Sequence, residues 1–314
     1  MVQTTVGGSL GETDDDLRWL VDYIQTNDPD GEGYYQAYTH IAPDETIMEE
    51  TYEEHFYQIG GATIFDNNGV KELQMLWGEM DNHEGKMTRT GTCLAVYSLE
   101  GQPGNSTYLK RISKNEEFNT DDVGYGSTIW KDEDGHIYLY VTENNRPLVA
   151  RTTTHDLTSE WEYYIRDLSG NFMWQKMYPT KEERTRSTIM ENNYVCSMPQ
   201  IFKKGDYYYM IGQAVSYVHS VYLYRGETPY GPFTDQKILF NVPYAVDKIG
   251  NQYYKNLLRV NLHLELAREG ELVFSTNTDA DTAGDNFDFP GSADFCRPYF
   301  YRVFNWESIY DEDE

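Results

Sequence analysis

Short apolar strand segments, each followed by a Gly-centred polar turn and a second apolar segment, recur four times along the 314 residues. The pairs are Ala62-Thr63-Ile64-Phe65 with Leu73-Gln74-Met75-Leu76, Ser127-Thr128-Ile129-Trp130 with Ile137-Tyr138-Leu139-Tyr140, Pro199-Gln200-Ile201-Phe202 with Tyr207-Tyr208-Tyr209-Met210, and Leu264-Glu265-Leu266 with Leu272-Val273-Phe274. Aligning Ile64, Ile129, Ile201 and Leu266 spaces the copies 65, 72 and 65 residues apart. A hairpin repeated at such a period is the mark of small sheets in a radial array, each burying its faces against the next. The chain is therefore expected to be all-β, a β-propeller.

The remainder of each repeat supplies two more strands. Leu94-Ala95-Val96-Tyr97, Leu148-Val149-Ala150-Arg151, Val221-Tyr222-Leu223-Tyr224 and Tyr299-Phe300-Tyr301-Arg302 read as third strands. Fourth strands are expected to end near Tyr108-Leu109, across Trp161-Glu162-Tyr163-Tyr164 and across Lys237-Ile238-Leu239-Phe240. Residues 1–55 hold no copy of the hairpin, yet the chain has room for a fifth unit at about 65 residues each. The expected architecture is thus a five-bladed propeller, with residues 1–55 an irregular segment that completes the ring and 56–314 the regular blades, in a single domain. Apolar residues at Leu17, Leu20, Val21 and Ile24 behind Asp14-Asp15-Asp16 give helical spacing with an N-cap, so one short N-terminal helix is expected.

Composition narrows the class of partner. Hydrophobic residues make up 39% of the chain and aromatics 15%, with 28 Tyr, enough for a substantial core. The formal net charge of −27 excludes a nucleic-acid backbone, which needs a dense field of Lys and Arg, and favours a neutral ligand. No run of 18 apolar residues occurs, so no membrane-spanning helix is expected, and no apolar signal segment follows Met1. An extracellular or periplasmic setting suits the charge, and a monomer is expected. Cys93, Cys196 and Cys296 are odd in number and without metal-type spacing; Cys93 and Cys196 fall in or beside strands, as buried free thiols do. Asp28-Pro29-Asp30-Gly31-Glu32 and Asp279-Ala280-Asp281-Thr282-Ala283-Gly284-Asp285 look like calcium loops, but neither runs on to the twelfth-position Glu, and both read as turns. Residues 279–294 form a long polar insertion of the kind that lines a ligand face.

The stretch Met198-Pro199-Gln200-Ile201-Phe202-Lys203-Lys204-Gly205-Asp206-Tyr207-Tyr208-Tyr209-Met210, continuing to Gly226-Glu227-Thr228-Pro229-Tyr230-Gly231-Pro232-Phe233, resembles a blade of the five-bladed propeller glycoside hydrolases: arabinanases, xylosidases and fructosidases. The last repeat, from His263 to Arg302, is similar to bacterial propellers related to endo-D-arabinanases. The resemblance covers about residues 56–304 and implies a carbohydrate-active enzyme acting on an oligo- or polysaccharide. It also implies an Asp general base at the start of an innermost strand, just ahead of a Pro. The positions that align with it are Gly61, Gly126, Met198 and His263, and none carries a carboxylate. An inactive, sugar-binding relative is the alternative this departure supports, with a polysaccharide lyase behind it.

The start of one strand and the end of its hairpin partner lie side by side, so the ends of the second strands should line one mouth. Those ends carry Glu79, Asp81 and His83, then Glu143 and Arg146, then Gln213, then Asn277. Glycoside cleavage needs two carboxyl groups across the bond, one acting as acid and one as base or nucleophile. Glu143 is expected to be the acid and Asp81 or Glu79 the base. His263 and Glu265 alternate on what reads as the last innermost strand and would face the same mouth. His263, Glu265, Arg297, Arg146, Gln213, Asn277 and His83 are the expected substrate contacts. The residues call for no cofactor and no metal; the resemblance adds a water or Ca²⁺ on the axis beside His263.

Overall fold

In the computed structural model the described residues are 55–83, 86–101, 111–119, 123–215, 218–243, 256–279 and 298–313. The expected helix at 14–24, both calcium-like loops, the 279–294 insertion, Cys296 and Arg297 lie outside them.

The fold is an all-β propeller fold with little helix. Four sheets follow one another, each with its strands in chain order. The first holds β1 (His55–Asn67), β2 (Val70–His83), β3 (Lys86–Ser98) and β4 (Arg111–Asn119). The second holds β5 (Thr128–Lys131), β6 (Ile137–Glu143), β7 (Arg146–Thr152), β8 (Trp161–Arg166) and β9 (Phe172–Gln175). The third holds β10 (Ser197–Lys204), β11 (Tyr207–Gln213), β12 (Ser220–Gly226) and β13 (Thr234–Asn241), and the fourth β14 (Asn256–Leu262), β15 (Glu271–Asp279) and β16 (Tyr299–Phe304). The first three hairpins fall where the apolar pattern expects them. The fifth blade was assigned to residues outside the described ones.

Two-residue turns explain why the hairpins close where they do. Asn68 and Gly69 join β1 to β2, and Asn144 and Asn145 join β6 to β7, all with the left-handed φ that such turns require. The middle strands are buried on both faces, as stacked sheets demand: Ile137 to Val141 in β6 and Leu148 to Ala150 in β7 have almost no exposure.

Two compact units emerge from the packing: residues 1–141 with 150–163, and residues 142–149 with 164–314. In the first, Gly61 donates its N–H to the Gly126 carbonyl at 2.7 Å. A Cβ on Gly61 would meet Ile129 Cγ2 at 2.5 Å, and one on Gly126 would meet Leu76 Cδ1 at 2.3 Å. These glycines let the bulged part of β1 close against the turn before β5, and Gly61 sits inside β1 rather than at its start.

In the second unit β14 packs against β10 and β11. Gln200 of β10 makes the join, accepting from the Leu262 N–H at 2.8 Å through Oε1 and reaching Asn261 Oδ1 at 3.5 Å through Nε2. This corrects the fourth repeat. Its first strand is Asn256–Leu262, whereas Leu264–Leu266 is a single 3₁₀ turn with both leucines exposed. The physical reason is hairpin closure: the apolar pair Leu264 and Leu266 mimics a strand, but residues 263–270 are needed to turn the chain from β14 into β15. Two further elements were not expected. Strand β9 is held by rings, Tyr164 packing between Phe172 at 4.9 Å and Trp174 at 4.7 Å, with Tyr230 against both Tyr164 and Trp174. The α-helix α1 (Lys181–Arg186) starts on a capping box in which Thr180 and Glu183 satisfy each other's backbone N–H.

Candidate functional site

Strand β6 ends at Glu143, where the Asn144–Asn145 turn reverses the chain and leaves Arg146 exposed on the other side. Helix α1 places Arg184 beside it. Arg184 Nε donates to Glu143 Oε2 at 3.1 Å and Nη2 to Oε1 at 3.2 Å, while Nη1 donates to the Pro179 carbonyl at 3.0 Å. The guanidinium also lies 5.6 Å from the Tyr178 ring centroid. Arg184 is 4% exposed and the Glu143 side chain 20%, so the arginine is the buried member and the carboxylate looks partly outward. Arg184 was not among the expected site residues. Thr180-x-x-Glu183, a capping-box signal, was the trace of its helix in the sequence.

The next strand begins close by. Met198, the second residue of β10, donates its N–H to Thr142 Oγ1 at 3.2 Å, one residue before Glu143. Strand β10 is bulged between Ser197 and Gln200, and Met198 takes a left-handed φ of 50° with its side chain exposed. Ser197 pairs with Gln213, the last residue of β11. Gln213 is buried, and its Nε2 donates to Val218 O at 2.6 Å and Leu257 O at 3.0 Å. It therefore ties β11 to the start of β14, and its amide N–H groups are committed there. Asn277 of β15 is buried opposite Leu258. Glu143, Gln213 and Asn277 thus stand at or near the ends of their strands, as expected.

His263 does not join them. Its N–H donates to Val273 O at 2.8 Å, four residues along β15 from Asn277, or roughly 13 Å at the rise of a strand. It caps the 3₁₀ turn at the opposite end of the sheet. There its Nε2 lies 2.8 Å from Ser275 Oγ and its Nδ1 3.2 Å from Glu265 Oε1, away from the strand starts. The four-residue error in the repeat alignment caused the misplacement. The residue that occupies the strand-start bulge of the fourth sheet is Arg259, at φ 38° between Leu258 and Asn261. A Ca²⁺ beside His263 is a poor fit, because both ring nitrogens are already engaged and Glu265 supplies one carboxylate, where calcium takes six to eight oxygens. Among the described residues no group of three or more His, Cys, Asp or Glu gathers to hold a metal.

Glu79 and Asp81 belong to the first unit, on β2, paired with Tyr57 and His55 of β1 and half-buried. His83 ends the same strand. Glu143 belongs to the second unit.

A family model described as a domain of unknown function (DUF5005) matches residues 6–306. The chain belongs to this family. Among solved structures, a protein from Bacteroides ovatus described as a candidate hydrolase is 51% identical, with a TM-score of 0.80 over 98% of this chain and 77% of its own. An exo-β-1,3-galactanase from Phanerochaete chrysosporium matches at 12% identity and a TM-score of 0.41, over 78% of this chain and 46% of its own. An α-L-arabinofuranosidase from Lactobacillus brevis matches at 8% identity and 0.41, over 77% and 71%. Likenesses as distant as the last two say nothing about the chemistry of this chain. No curated protein matches it.

Proposed function

We propose that this DUF5005 chain is a glycoside hydrolase that takes its glycan at the strand-start end where Glu143 stands. The observation that carries the reading is the Glu143 carboxylate, partly exposed at a strand end and oriented by a buried arginine. A rigidly held carboxylate at such a place is what glycosyl transfer to water needs on one side of the bond. The hydrolase description of the Bacteroides ovatus relative supports the reaction class.

The roles follow from the hydrogen bonds. Both Glu143 oxygens accept from Arg184, so a fixed cation orients the carboxylate, an arrangement that suits a base or nucleophile. Glu143 is therefore assigned as base or nucleophile, the reverse of the role expected from the sequence. A five-bladed ring with residues 1–55 in the irregular blade, and an extracellular or periplasmic setting, belong to the same proposal.

The test is a panel of oligosaccharides assayed with the wild-type chain and with Glu143→Gln. Turnover by the wild type and a loss of about a hundredfold or more in the variant is the expected result. Turnover unchanged by Glu143→Gln overturns the assignment. A glycan that binds without being cleaved supports the second reading, a sugar-binding relative, which the absence of a carboxylate at Gly61, Gly126 and Met198 favours.

A further inference from the structure

We infer that Arg259 forms an anion-recognising subsite at the strand-start end of the fourth sheet, and that the sugar it receives is a uronic acid. The inference rests on the glycan reading above and names the class of sugar.

Three first strands are bulged at the same place: β1 between Ile59 and Ala62, β10 between Ser197 and Gln200, β14 between Leu258 and Asn261. In each, two residues oppose one on the partner strand, a distortion that re-aims a side chain and is common beside binding sites. The pairs that occupy the bulges are Gly60 with Gly61, Met198 with Pro199, and Arg259 with Val260. In β14 the buried Val260 fills the core, and Arg259 holds a left-handed φ that glycine would adopt without strain. A long cationic side chain kept at such a position is an outlier that points to a task.

Several other described arginines hold a carboxylate: Arg151, Arg184, Arg225 and Arg302 meet Glu162, Glu143, Asp235 and Glu271 respectively. Among the described residues Arg259 has no hydrogen-bond or ion-pair partner, in a chain with 52 acidic residues to 25 basic ones. The side chain is partly buried, and that burial lowers its pKa. A planar fork of donors without a partner matches a carboxylate in two parallel hydrogen bonds. The net charge of −27 repels densely charged polyanions but tolerates one carboxylate delivered to a local cation.

The experiment is isothermal titration of the wild-type chain with neutral oligosaccharides that end in a single glucuronic or galacturonic acid, with the methyl esters of those acids, and with neutral oligosaccharides of the same length. The acids should bind at least about tenfold tighter than the esters, with the preference weakening in salt. Arg259→Gln should lose that preference while keeping its ester affinity, and Arg259→Lys should keep part of it. Equal affinity for acid and ester in the wild type, which requires no variant to fold, overturns the inference. So does a preference that persists in a folded Arg259→Gln. Acid preference without any bond cleavage supports the subsite and sinks the hydrolase reading, whereas cleavage of neutral glycans without acid preference does the reverse. Thermal stabilisation by acetate or phosphate with no binding of any uronate overturns the sugar assignment.

Discussion

Arg184 grips Glu143 by both carboxylate oxygens, at 3.1 and 3.2 Å, from the six-residue helix that follows β9 in the chain. The arginine is buried and also donates through Nη1 to a backbone carbonyl, so the pair is a fixed element of the fold as well as a part of the candidate site.

Arg184→Met should therefore cost about 3 kcal/mol, because it strands a partly buried carboxylate. Adding Glu143→Gln to that variant should recover part of the loss, since the uncompensated charge is then gone. Urea midpoints of the two single variants and the double variant measure this coupling. Additive losses would show that the two side chains do not depend on each other.

Gly126 tests the close approach of β1 and β5 in the first unit. Its φ of 93° disfavours any side chain, and a Cβ would overlap Leu76 Cδ1. Gly126→Ala should destabilise by roughly 2–4 kcal/mol, strain and overlap together. Gly135 has a similar φ of 95° but open space around it, so Gly135→Ala should cost only about 1 kcal/mol. Thermal melts of the two variants separate the overlap from the backbone strain.

Acid sensitivity should pass in part through Glu271. Burial opposes its charged form, but the Arg268 N–H and the Arg302 guanidinium, 2.6 Å away, outweigh it and hold its pKa below the usual glutamate range. A depressed carboxylate pKa contributes stability that is present above the unfolded value of about 4.3 and is lost as pH falls through the folded one. Glu271→Gln should accordingly be less stable than the wild type at pH 7, with the gap narrowing as the pH is taken below about 4. Denaturant titrations at several pH values check the sign.

Two of the three thiols should be silent in the native protein. Cys93 and Cys196 are buried, and burial pushes the Cys196 thiol up, away from the reactive thiolate. A thiol reagent should label neither without denaturant and both with it. Rapid labelling of Cys196 in the folded chain would contradict its placement against β11.

The apolar pattern alone determined the order and spacing of the hairpins, because a strand buried between stacked sheets must be apolar on both faces and its turns must be Gly- or Asn-rich. Ile64, Ile129 and Ile201 accordingly stand in the first strands of three successive sheets. The charge balance likewise spoke to the class of partner before any coordinates, since it depends on composition only. Tertiary structure decided which residues share an end. Leu264 and Leu266 carry the same local signal as a strand, and only the pairing of Leu262 with Phe274 shows that the strand has already ended. That four-residue shift removed His263 from the candidate site and put Arg259 in its place. Nothing local to Glu143 announces Arg184, which lies 41 residues later, because an ion pair across that distance exists only once the helix has docked. Nor does Gly61 announce whether its missing side chain leaves a space or is filled by a neighbour; Ile129, brought up by the next sheet, fills it.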